Sequence, residues 1–75
     1  MPLIQISVPA GSLDEQHKRQ MVAKVTDAVV EAEGTEAVRP FTWVHILEVP
    51  DAGWGMAGRV LTLSQMQASL QKATG

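Results

Sequence analysis

A chain of 75 residues with a formal net charge of −2 and no cysteine is one domain at most, with no disulfide to reinforce a small core. Its Lys and Arg residues are scattered, no apolar run approaches the roughly 18 residues that span a bilayer, and no basic segment leads into an apolar one at the start. These features argue against nucleic acid and membrane as partners and lead to the expectation of a cytoplasmic protein that gains stability by assembling with copies of itself.

Leu3 to Val8 alternates, with Ile4, Ile6 and Val8 on one face and Leu3, Gln5 and Ser7 on the other, the period of a half-buried strand. Pro9, Ala10 and Gly11 interrupt it. Ser12-Leu13-Asp14-Glu15 then has the S-x-x-E form of a capping box, so a helix is expected to begin there. Met21, Val22, Val25, Ala28, Val29 and Ala32 recur at steps of three and four, while Lys18, Lys24, Asp27 and Glu31 fall off that stripe. Gly34 stands where a left-handed C-terminal glycine is expected, and a short connection through Arg39-Pro40 follows.

Phe41 to Val49 reads as a second strand, with Phe41, Trp43, His45 and Leu47 on one face and Thr42, Val44, Ile46 and Glu48 on the other. Strand, long helix and strand with short connections predict a right-handed parallel crossover. One helix covers one face of such a sheet, and the other face is left needing a partner. A second copy of the chain is the expected partner, as a dimer or a multiple of one.

Gly53, Gly55 and Gly58 alternate with Trp54 and Met56, which predicts a tight turn or small hairpin. Their spacing matches G-x-G-x-x-G, but no long helix follows and no acidic residue stands about 20 positions on, so this is not a dinucleotide loop. From Leu63, the positions of Met66, Leu70 and Ala73 predict a short amphipathic helix that frays at Thr74 and Gly75. His17 lies among Lys18 and Arg19 with no further ligands nearby, and no metal or cofactor is implied.

Met1-Pro2-Leu3-Ile4 leading into a strand, and Gly11-Ser12-Leu13-Asp14-Glu15-Gln16 opening a helix, resemble the start of the 4-oxalocrotonate tautomerase family. Val25-Thr26-Asp27-Ala28-Val29 and Trp54-Gly55-Met56-Ala57-Gly58 are similar to later segments of that family, so the resemblance runs over roughly residues 2 to 63. It implies an α+β fold, a β-α-β tautomerase-like protomer whose sheet pairs with a second subunit, completed by a C-terminal hairpin or short helix and assembled as a dimer or as a hexamer, a trimer of dimers. It also implies that Met1 is removed and that the exposed amine of Pro2 is the general base of a keto-enol or allylic proton transfer on a small 2-oxo acid or its enol. An amide nitrogen inside a chain cannot take a proton, whereas a terminal amine can, and apolar surroundings lower its pKa toward neutrality.

The family grips substrate carboxylates with two arginines, and the corresponding positions here are Ser12 and Trp43. Neither side chain offers the paired planar donors of a guanidinium, which puts a dicarboxylate substrate in doubt. Arg39 and Arg59 are the candidate replacements, each readable also as a solvated surface charge. Trp54 matches the family's aromatic residue beside the proline. Trp43 is core or pocket wall, and His45, sharing its strand face, is a second acid or base or an interface histidine. Glu48 and Asp51 cannot be matched to the water-activating carboxylates of the family's dehalogenases and hydratases. The alternative to a tautomerase is a non-catalytic oligomeric binding protein that keeps the fold but lacks the arginines and, with Met1 retained, has its Pro2 nitrogen blocked as an amide.

Overall fold

The computed structural model describes residues 2–74, for Ala73 and Thr74 the backbone alone. Met1 and Gly75 lie outside the described residues, and with them the expectations of a processed terminus and a frayed last residue, as does the Ala73 side chain. Strand β1 (Leu3–Pro9) leads to helix α1 (Glu15–Glu33), a 3-10 helix (Glu36–Phe41), strand β2 (Trp43–Val49), strands β3 (Trp54–Met56) and β4 (Arg59–Leu61), and helix α2 (Leu63–Thr74). β1 and β2 pair in parallel, in a register that runs from Leu3 opposite Trp43 to Pro9 opposite Val49. This is the β-α-β unit that the alternation of the first segment and the helical stripe of the second predict. Both a hairpin and a short helix follow it.

Ile4, Ile6 and Val8 of β1 and Val44 and Ile46 of β2 are half-buried on the face that α1 covers. Val30 of α1, 6 % exposed, is the one buried hydrophobic side chain among the described residues. The inward stripe thus differs from the expected one: Met21, Val25 and Val29 are half-buried, but Val22, Ala28 and Ala32 are exposed and Val30 takes the deepest place. An alanine has little area to bury, so the helix settles with Val25, Val29 and Val30 inward. On the opposite face of the sheet Leu3 is 53 % exposed, Trp43 59 % and Leu47 43 %.

Two boundaries depart from the sequence reading. Ser12 does not cap α1; its hydroxyl and its backbone N–H both donate to the Pro9 carbonyl, at 2.7 and 3.0 Å, and close the turn after β1. Asp14 is the N-cap instead, with an extended backbone and Oδ1 accepting from the His17 N–H at 2.8 Å. Aspartate caps as well as serine and adds a negative charge at the positive end of the helix. The second departure is Phe41, which ends the 3-10 helix and does not begin the strand. Thr35 caps that helix, the Thr42 hydroxyl donates to the Val38 carbonyl at 2.8 Å, and the strand begins at Trp43. At the other end of α1, Gly34 closes the helix in the left-handed conformation (φ 77°), its N–H donating to Val30 at 2.9 Å, as the sequence predicts.

The accessible surface of the chain is 5707 Å², whereas a compact monomer of this mass exposes about 4,500 Å². Its Cα radius of gyration is 15.3 Å, against about 11 Å for a compact chain of this length. The excess, about 1,200 Å², exceeds the roughly 800 Å² that each partner contributes to an ordinary protein interface.

The Asp14 cap makes stability depend on pH. The His17 backbone hydrogen bond, and then the His17 side chain at 2.7 Å, hold the Asp14 carboxyl below its ordinary value of 3.8. A carboxyl depressed by folding stabilises the fold at pH above the ordinary carboxylate range, and that contribution is lost as pH falls through the depressed value. Thermal melts followed by circular dichroism from about pH 5 to about pH 2 should show a steeper loss for the wild type than for Asp14→Asn, which caps without titrating.

Candidate active site

Pro2 precedes β1, is half-buried, and accepts at its carbonyl a hydrogen bond of 3.0 Å from the Trp43 N–H. The parallel register therefore fixes the backbone of Pro2 beside the first residue of β2. The exposed side chains of Leu3 and Trp43 stand at the same end of the sheet, and Phe41, 53 % exposed, ends the 3-10 helix just before it. His45 follows Trp43 on the uncovered face, opposite Gln5.

At the far end, about 20 Å along the strands, the Ala10 N–H donates to Val49 at 2.8 Å and the chain turns through Pro50 to Gly53. A Cβ on Gly53 would lie 2.7 Å from both the Pro50 carbonyl oxygen and Val49 Cγ1, so this turn requires glycine. The hairpin follows, Trp54 opposite Leu61 and Met56 opposite Arg59, around a turn in which Ala57 and Gly58 both have positive φ, as right-handed strand twist favours. Trp54 is half-buried, and its Nε1 is a buried donor with no acceptor among the described residues. Arg59 is exposed and makes no ion pair among the described residues.

Arg39 is differently placed. Its Nε donates to Glu36 Oε2 and its Nη1 to Asp27 Oδ1, both at 2.8 Å, and its Nη2 reaches Glu36 Oε1 at 3.3 Å. Glu36 first and Asp27 second hold the guanidinium above its usual range, and Arg39 in turn holds the Glu36 carboxyl low. Arg39 thus ties the 3-10 helix to α1. The two other carboxylates considered from the sequence are also engaged: Glu48 meets Lys18 Nζ at 3.0 Å, and Asp51 Oδ1 accepts from Leu63 N at 2.8 Å and Ala52 N at 3.1 Å.

The structure brings together Pro2 and Trp43 through their backbones, Trp43 and His45 on one face, and Trp54 and Arg59 on the hairpin. The hairpin leaves the end of the sheet opposite to the Pro2 end. A groove of about 470 Å³ between the hairpin and α2, lined by Met56, Leu61, Met66 and Leu70, contains none of the candidate residues. No group of three His, Asp or Glu side chains is gathered to hold a metal among the described residues. The feature that the sequence reading missed is the start of α2: Thr62 Oγ1 accepts from Gln65 N at 3.3 Å while Gln65 Oε1 accepts from Thr62 N at 3.0 Å. This is the reciprocal capping box, and its T-x-x-Q pattern was available as the signal.

A family model described as "Tautomerase enzyme" matches residues 2–64. The chain is 41 % identical over 58 residues to a 2-hydroxymuconate tautomerase of Comamonas testosteroni, a match covering 77 % of this chain and 87 % of that protein. A 2-hydroxymuconate tautomerase of Pseudomonas putida is 38 % identical with the same coverage. A protein named "Probable tautomerase K2" from Dickeya dadantii (strain 3937) is 33 % identical over 70 residues, 92 % of this chain and all of that one.

Trp54→Phe is expected to keep or raise stability in denaturant titrations, because it removes a buried donor whose lack of an acceptor costs about 1–3 kcal/mol. A loss of more than about 2 kcal/mol would mean that the indole N–H finds a partner in solution.

Proposed function

This chain belongs to the tautomerase family, and from that premise we propose that it moves a proton within a small enol or 2-oxo acid with the amine of Pro2, freed by removal of Met1, as general base. The observation that carries the reading is the seat of Pro2: half-buried at the head of β1, with its carbonyl held by Trp43 N at 3.0 Å and apolar side chains at the same end of the sheet. Such surroundings disfavour the ammonium form of a terminal amine, whose ordinary pKa is about 8, and bring it toward the working range of a base at neutral pH.

The reaction needs no net change beyond the proton's position. The amine takes the hydroxyl proton of the enol, the C–O bond becomes a carbonyl, the former double-bond electrons move to the carbon chain, and the protonated amine returns the proton to the carbon that receives them. The isomerisation is complete without an electron acceptor or metal.

Arg59 is the better candidate to hold a substrate carboxylate, since Arg39 is occupied by Glu36 and Asp27. Trp54 supplies an apolar wall, and Trp43 and His45 border the site. Because the hairpin and Pro2 stand at opposite ends of the sheet, the reading brings Trp54 and Arg59 to Pro2 from a second copy. The protein then works as a homo-oligomer, a dimer or a trimer of dimers, consistent with the surface it leaves exposed.

The relatives are named for 2-hydroxymuconate, which carries two carboxylates. Here the Ser12 hydroxyl is spent on Pro9 and Trp43 has no cation to offer. The substrate in this reading has one carboxylate. No helix among the described residues is long and apolar enough to cross a membrane, and the reading is of a cytoplasmic enzyme acting on a diffusible acid.

In protein shown by mass to lack Met1, Pro2→Ala is expected to lower kcat for ketonisation of phenylenolpyruvate about a hundredfold, the usual scale of a positioned base. Unchanged turnover would remove Pro2 from the mechanism. Arg59→Ala should raise KM for the same substrate about tenfold or more, as loss of a charge-assisted hydrogen bond does, with a smaller effect on kcat. An unaltered KM would leave Arg59 as a surface charge.

A further inference from the structure

The hairpin of β3 and β4 is a sheet of its own, three residue pairs in extent, and among the described residues neither strand pairs with β1 or β2. A ribbon that short is marginal by itself. No ladder therefore sets where Trp54 and Arg59 stand relative to the parallel sheet. Their place is decided where the chain leaves β2 and where it enters α2.

One carboxylate oxygen meets both of these points. Asp51 Oδ1 accepts from Ala52 N at 3.1 Å on the way into the hairpin and from Leu63 N at 2.8 Å on the way out. Ala52 has a φ of 63°, a left-handed conformation that a residue with a Cβ seldom adopts unless its surroundings hold it there. Leu63 is the first residue of α2, where a backbone N–H has no partner within the helix. The Thr62 and Gln65 side chains satisfy each other's N–H, and Asp51 satisfies that of Leu63 from across the hairpin, with the negative charge that a helix start favours. Arg59 lies two residues, about 7 Å, from Leu61 at the base of the hairpin, so a tilt at the base displaces its guanidinium more than it displaces Trp54.

We propose that Asp51 is a positioning residue for the substrate carboxylate: by holding the entry and the exit of the hairpin on one oxygen, it keeps Arg59 in the placement from which the guanidinium grips. The proposal rests on the reading above for the roles of Pro2 and Arg59. Asp51 acts through Arg59 and takes no part in proton transfer. Released from Asp51, the hairpin divides among several placements, and apparent affinity falls with the fraction that remains competent. Asp51 is exposed, so its hydrogen bonds compete with water and contribute modestly, which leaves a competent fraction of about one fifth when they are lost. Bound substrate selects the competent placement, so turnover at saturation is little changed.

The test is steady-state ketonisation of phenylenolpyruvate by protein shown by mass to lack Met1. Asp51→Ala should raise KM about fivefold and hold kcat within about twofold. Asp51→Asn, which keeps an acceptor at Oδ1, should stay within about twofold of the wild type in KM, whereas a carboxylate that moved a proton would fail equally in both variants. Leu63→Pro deletes the N–H donor at a helix position that tolerates proline, and its KM should exceed that of Leu63→Ala about fivefold. Added to Arg59→Ala, Asp51→Ala should have no further effect on KM, because the two residues act in series.

An unchanged KM in Asp51→Ala, equal impairment in Asp51→Asn and Asp51→Ala, equal KM values in Leu63→Pro and Leu63→Ala, or effects that multiply in the double variant would each overturn the proposal. Lower stability in urea with an unchanged KM would leave Asp51 as a cap of α2 and nothing more. An inert wild type, or an Arg59→Ala variant with unaltered KM, is a different failure: it removes the reading on which the proposal rests, and it is seen before any change at Asp51 is made.

Discussion

The parallel pairing of β1 with β2 is the constraint on which the rest depends. Parallel strands cannot be joined by a tight turn, so the chain must cross over, and it does so with a helix long enough to cover one face. The same pairing leaves the other face uncovered, because among the described residues no second helix returns across it. It also places Pro2 beside Trp43, which decides where a terminal amine would stand. Core, exposed face and candidate base are thus three results of one register.

Much of this was legible in the sequence. Alternation in Leu3–Val8 and in Trp43–Val49 separates the covered face from the open one, and glycine at position 34 marks the helix end, because both signals are local and physical. The starts of elements were less legible where two local solutions compete. Ser12 and Asp14 both offer a capping oxygen, and the outcome was decided by the turn after β1, which claims the Ser12 hydroxyl through Pro9. Phe41 fits the alternation of β2, yet Thr42 and Arg39 hold the preceding residues in a 3-10 turn that a two-residue period cannot register.

The candidate site was legible in its members more than in their arrangement. Arg39 looks like a free cation in sequence, and its engagement depends on Asp27, twelve positions away on α1. The separation of Pro2 from Trp54 and Arg59 is a property of the sheet's length and of where the hairpin leaves it, and no spacing along the chain encodes it. Likewise, the isolation of His45 among uncharged neighbours emerges only when both strands are laid in register. Residue types announce chemistry, but their electrostatic surroundings are assembled from distant parts of the chain.

The hydrogen bond from Leu63 N to Asp51 Oδ1 joins residues twelve apart and closes the segment that contains the hairpin. Mechanically, the hairpin is then a lever with both feet clamped at one end of the sheet. A force applied at Trp54 or Arg59 passes to Asp51 and Val49, and the strand carrying Pro2 feels it only through the length of the ladder. Contacts made by the hairpin can therefore vary while the backbone of Pro2 in the same chain stays held by Trp43.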